Sequence, residues 1–155
     1  MNLNSNALKN LFLFCLLSIF SGDLMAQHMF KEKFEDCKTK RFTTEKDSIS
    51  VQENEKDIIY ILANNFTEEN VKKIKGLLSL QIIVDTNGNS CLLSITNDTD
   101  INTKKLNIKQ IIDKKLTWRK PDKKTSVLLG IKFYGTEVEK KRIGMSKEKG
   151  FHVIN

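Results

Sequence analysis

Proline is almost missing from this sequence: Pro121 is the single one in 155 residues, alongside seven glycines. A Pro-rich spacer, a collagen repeat and a Gly/Ser linker are thereby excluded. Histidine is as scarce. His28 and His152 stand near opposite ends of the chain and leave little for metal or proton-shuttle chemistry. Three cysteines, at positions 15, 37 and 91, include no CxxC pair, so zinc binding and thioredoxin-type redox chemistry have no support. There is no P-loop, no GxGxxG and no HExxH. The longest apolar run is residues 11–20, ten residues against the about 20 needed to cross a bilayer.

What the chain does have is a core's worth of apolar residues, 39%, with nine Phe. That argues against a wholly disordered chain, which cannot bury enough apolar surface to offset its ordering entropy. It also has an excess of positive charge, 26 Lys+Arg against 19 Asp+Glu, net +7. The length suits one domain with attachments.

The first 26 residues read as a secretory signal peptide. A polar stretch with Lys9 precedes the apolar run 11–20, Ser21-Gly22-Asp23 breaks it, and Ala26 offers a small residue before Gln27. Cleavage is expected between Ala26 and Gln27; uncleaved, the segment would be a membrane anchor. Its removal takes one Lys and one Asp, so the exported chain keeps its net +7. Export to the periplasm or beyond implies an oxidising compartment. Cys37 and Cys91 then remain and can form one bridge.

Residues 27–52 are charged, with Phe30, Phe34 and Phe42 dispersed among them, and read as an irregular lead segment. The spacing of Ile58, Ile59 and Leu62 predicts a short helix over 54–64. Thr67 is placed to cap a second helix whose first turn carries Glu68 and Glu69, with Gly76 expected as its left-handed end. Residues 78–85 alternate as a strand, and Asn87-Gly88 predicts a two-residue hairpin. That loop would pair Val84 with Cys91, Ile82 with Leu93 and Leu80 with Ile95 on the core side. Asp85–Ser90, Ile83–Leu92 and Gln81–Ser94 would fall on the other side. Residues 104–116 resume helical spacing through Ile108, Ile111, Ile112 and Leu116; Trp118 follows as a core anchor, and Pro121 stops the helix. Residues 126–134 predict a third strand, and 136–155 a flexible basic tail. The expected fold is therefore α+β: a two-layer sandwich of a three-stranded antiparallel sheet packed by two to three helices.

In their order, Asn65-Phe66-Thr67-Glu68-Glu69, Gly76, Asp85-Thr86-Asn87-Gly88, Trp118-Arg119-Lys120-Pro121 and Ile131-Lys132-Phe133 resemble the C-terminal domain of TonB, the periplasmic part of the energy transducer for outer-membrane transport. The resemblance runs from about Ile58 to Gly135 and places a domain at 53–135. Phe66-Thr67 stands where the family usually has Tyr-Pro, and the Trp–Pro spacing is stretched. Working transducers of the family also have a membrane helix and a long Pro-rich arm. This chain offers 31 residues between the cleavage point and Ile58, at most about 110 Å fully stretched, without a proline among them. A stand-alone exported module is expected, rather than a complete transducer.

The resemblance implies that an extended receptor segment adds to a sheet edge, and the matching strand is Thr125, Ser126, Val127, Leu128, Leu129, Gly130, Ile131, Lys132, Phe133 and Tyr134. An edge strand offers unpaired N–H and C=O groups to an incoming chain. The runs Lys104-Lys105, Lys114-Lys115, Arg119-Lys120 and Lys123-Lys124 suggest a second reading, a structural or regulatory protein docking on an anionic membrane or polymer of the envelope. No catalytic residue, metal ligand or cofactor is assigned. Asp85 reads as a turn former, and Glu68 and Glu69 as helix-start charges. Nucleic acid is excluded as a partner by the export signal.

Overall fold

The computed structural model of the chain describes residues 28–155; the signal segment and the Ala26–Gln27 bond lie outside them. One sheet organises the molecule. Its strands are β1 (Glu32–Lys33), β2 (Thr43–Thr44), β3 (Lys75–Val84), β4 (Ser90–Thr99), β5 (Thr125–Tyr134), β6 (Val138–Ser146) and β7 (Gly150–Ile154). The spatial order is β1-β4-β3-β5-β6-β7, with β2 attached to β5. All pairings are antiparallel except β2 with β5. The helices are short: α1 (Ile58–Asn65), α2 (Glu68–Lys73), α3 (Thr103–Leu106) and α4 (Ile108–Lys115).

The expected α+β sandwich on three strands is thus overturned: the protein is mostly β, on seven strands. Two regions account for the difference. Residues 136–155 are not a flexible tail but the hairpin β6–β7. Val138, Lys140, Arg142 and Gly144 alternate with Glu139, Lys141, Ile143 and Met145, and the charged members hid the period of two. The lead segment supplies β1 and β2, each too short to carry a pattern.

The helices cover one face, and their starts follow local rules. Asp57 caps α1 by accepting the Ile59 N–H at 2.7 Å, and Thr67 caps α2 by accepting from Asn70. Helix α1 therefore begins at 58, not 54. The predicted helix 104–116 is two pieces, because Asn107 turns left-handed at φ 49°. Gly76 does not end α2; it lies in β3 at φ 115°, where a Cβ would come within 2.3 Å of the Asp98 carbonyl oxygen. Beneath the helices, Leu78, Leu80, Ile82 and Val84 of β3 meet Ile58, Leu62, Ile112, Val127, Leu129 and Ile131 in one cluster. Trp118 closes it at 2% exposure, its Nε1–H donating to Ser90 Oγ at 2.8 Å.

Strand β3 keeps its expected faces, but the register differs, and Cys91, Leu92 and Leu93 of β4 fall on the faces opposite to those expected. Gly88 N–H donates to Asp85 O, Asp85 N–H to Asn89 O, and Gly88 alone has positive φ. This is a three-residue turn with a left-handed glycine, not the two-residue kind. It pairs Val84 with Ser90, Ile83 with Cys91 and Ile82 with Leu92; a bulge at Leu93 then restores Gln81–Ser94 and Leu80–Ile95. The extra residue moves Cys91 to the face away from the helices.

Candidate functional site

The strand Thr125–Tyr134, expected to be an open edge, is β5, and it is interior. All ten of its residues pair with β3, Leu128–Phe133 pair with β6 on the other side, and Thr125–Ser126 pair with β2. The C-terminal hairpin, absent from the sequence reading, takes the place at which an incoming strand was expected. The open outer edge belongs instead to β7, the last strand in the order. Phe151 and Val153 alternate on it at 59% and 54% exposure. They lie opposite Met145 and Ile143 on the face away from the helices. Tyr134 and Leu77 expose their side chains on that face as well. A composition of Gly, Phe, His, Val and Ile could have revealed this strand; the preceding lysines obscured it.

The same outer face carries the lead segment. Met29 N–H donates to Gln81 Oε1 at 2.9 Å and Phe30 N–H to Ser94 Oγ at 3.2 Å. Cys37 and Cys91 are joined by a disulfide with Cα atoms 5.7 Å apart. Cys37, Ile83 and Leu93 form a small apolar cluster, with Phe42 packed against it. Further on, Glu45 is almost wholly buried. It accepts from Arg142 Nε at 2.6 Å, from Arg142 Nη2 at 2.9 Å and from the Ser50 and Val51 N–H groups. The Arg142 guanidinium also lies over the Trp118 ring. Arg142 Nη2 donates to the Val51 carbonyl oxygen as well, at 2.7 Å, so the pair ties residues 45–51 to β6.

Asp85 forms the turn as expected, accepting from the Asn87 N–H, the Asn89 N–H and Asn89 Nδ2, each at 2.9 Å. Partial burial opposes its charge, but these donors outweigh it and hold the carboxyl below its ordinary value. Glu68 and Glu69 pair with Lys72 and Lys73 one turn on. Burial disfavours the charge on Lys140 as well, yet Asp57 and Glu53 hold its ammonium above the usual range.

Of the basic runs, three are brought together. Lys114-Lys115, Arg119-Lys120 and Lys123-Lys124 converge at the end of the sheet that holds the 85–89 turn. Trp118 N–H donates to Gly88 O there, and Asn89 bridges Thr117. Lys104-Lys105 lie at the opposite end, following β4, where Lys105 acts on Glu69. The lead-segment loop 38–41 joins the first group: Lys124 Nζ donates to Lys38 O at 2.9 Å and Lys40 O at 3.2 Å. Among the described residues, no group of three or more His, Cys, Asp or Glu is placed to hold a metal, and no helix is long and apolar enough to cross a membrane.

Comparison with protein-family models, with curated proteins and with solved structures finds no match to this chain.

Proposed function

We propose that the chain is an exported, non-enzymatic protein-binding module of the cell envelope, acting in or beside TonB-dependent transport. It recognises an extended partner segment by adding it to the sheet. The observation that carries this reading is β7, which among the described residues pairs on one side only and presents Phe151 and Val153 exposed on the outer face. Main-chain hydrogen bonds supply affinity in such recognition, and alternate side chains supply selectivity. The succession helix, helix, hairpin, helix, strand over 58–134 supports the TonB-like part of the reading. The Cys37 sulfur is held in the disulfide and so is not a free thiol nucleophile; this supports binding over catalysis.

A photo-crosslinker at position 151 of the full chain, in the native envelope, tests it. The expected product joins residue 151 to an extended periplasmic segment of an outer-membrane receptor. V153K in the chain that carries the crosslinker at 151 should abolish the product, because a lysine on an edge opposes strand addition. Equal crosslinking from a control site at the exposed Tyr60 would refute the reading.

A further inference from the structure

The net excess of positive charge falls in three segments of the chain. The segments 38–44, 85–89 and 114–124 hold nine Lys and Arg against two Asp, an excess of seven. That equals the whole formal net charge of the chain, so everything else sums to zero. The three segments meet at one end of the sheet through the Trp118–Gly88 and Lys124–Lys38 contacts. Elsewhere, Lys72, Lys73, Lys109, Lys140, Lys141, Arg142 and Lys149 pair with carboxylates, while Lys31, Lys33, Lys75, Lys104, Lys105 and Lys132, in no such pair among the described residues, are scattered over the rest of the fold. None of the nine pairs with a carboxylate among the described residues. Of the two acids here, Asp85 is already engaged by the turn.

The loop 38–41 is held in place without burying itself. Cys37 and Phe42 anchor its two ends in the small apolar cluster, and the disulfide fixes the first. Lys124 directs its ammonium to two of the loop's carbonyl oxygens. Arg41 adopts a left-handed backbone, φ 52°, which a residue with a Cβ disfavours. Between these anchors Lys38, Lys40 and Arg41 point into solvent. Such an arrangement gives the fold little apolar burial, yet it fixes the position of three like charges that repel one another. Strained conformations of this kind persist where the surroundings over-determine them and tend to mark binding sites.

We infer that this end of the sheet is a docking face for an anionic lipid surface. The cations cap the sheet from three separate loops, whereas a linear polyanion is normally met by a groove with stacking aromatics. Attraction between such a cluster and anionic headgroups acts within a Debye length, about 10 Å at 0.1 M salt. The inference is independent of the strand-edge reading, since β7 contributes none of these charges.

Co-sedimentation of the full chain with phosphatidylglycerol/phosphatidylethanolamine vesicles tests it, with phosphatidylcholine vesicles alongside. Binding should occur on the anionic vesicles only and fall at least about tenfold on raising salt from about 0.1 to 0.5 M. Neutralising Lys38, Lys40, Arg41, Arg119, Lys120 and Lys123 to Gln should reproduce that loss. All six are exposed and unpaired, and unchanged far-ultraviolet dichroism will show the fold kept. Neutralising Lys31, Lys33, Lys75, Lys104, Lys105 and Lys132 changes net charge equally and should leave binding within about twofold of wild type. Equal losses from both variants would overturn the inference, as would equal retention on phosphatidylcholine. Binding to soluble polyphosphate without binding to anionic vesicles would overturn it in favour of a polymer partner.

Discussion

On its helix-covered face the sheet buries a cluster of twenty-one apolar side chains; on its outer face the comparable cluster has three, Cys37, Ile83 and Leu93. The first face is closed by hydrophobic burial, worth roughly 25 cal/mol per Å² of apolar area. The second is closed by other means: a disulfide, the Gln81–Ser94–Ser126 polar centre, and hydrogen bonds from Met29 and Phe30 onto it. The outer face also keeps exposed the apolar residues that the other face would have covered. One side of this sheet stabilises the fold, and the other is held just firmly enough to stay available.

Substitutions on the two faces should therefore differ in size and in kind. The largest effect is expected on the helix side. Trp118→Ala removes a buried ring and leaves Ser90 without its donor, and should cost about 3–5 kcal/mol in urea unfolding. A loss below about 1 kcal/mol would show the closed face to be less dependent on packing than its burial implies.

Next comes the outer face's covalent tie. Changing both Cys37 and Cys91 to Ser should cost about 2–4 kcal/mol, since it releases a closure over 54 positions. Hydrogen exchange should then rise in residues 28–44 while β3 and β5 stay protected. Exchange rising equally everywhere would mean that the two faces are not separately held.

A smaller effect belongs to the turn that sets the hairpin register. Asp85→Asn should cost about 1 kcal/mol at neutral pH, discounted for partial solvation. The carboxyl is held below its ordinary value, so its stabilisation is present above about pH 4 and is lost as pH falls through the folded-state value. Wild type and variant should therefore converge in stability in acid. A gap that persists at low pH would assign the effect to shape instead of charge.

The smallest effect is expected at the rim. Val153→Lys should shift stability by no more than about 0.5 kcal/mol, because that side chain is mostly in solvent. Its consequence should appear in partner crosslinking alone.

The helix-covered face was legible because its signals are long. Leu78, Leu80, Ile82 and Val84 hold one period, and the even-spaced aliphatics of β5 hold the same one. The caps at Thr67 and the stop before Pro121 are local chemistry. The rest escaped for physical reasons. Asn87-Gly88 names a turn but does not say whether two or three residues form it, and one extra residue sends Cys91 to the other face. Strand β6 mixes four charged residues into a nine-residue alternation, so its pattern resembles a solvated tail. Misreading that hairpin also misplaced the candidate edge, since β5 is an edge only if nothing follows it. The basic runs were visible, but their convergence depends on the lead-segment loop, which has no pattern to read.

Residues 43–46 sit between the start of β5 and the end of β6. Glu45 N–H donates to Ser126 O, and Met145 N–H donates to Glu45 O. Gly144 makes the fit possible, because a Cβ there would sit 1.7 Å from the Lys46 carbonyl oxygen. The buried carboxylate of Glu45 meets its guanidinium partner 97 positions later in the sequence. During synthesis this acid thus emerges long before the arginine that neutralises it. Completing the fold brings an early segment between two late strands. Contacts of such long sequence separation place the chain among slowly folding topologies. The order of translation and the order of completion run in opposite directions along this molecule.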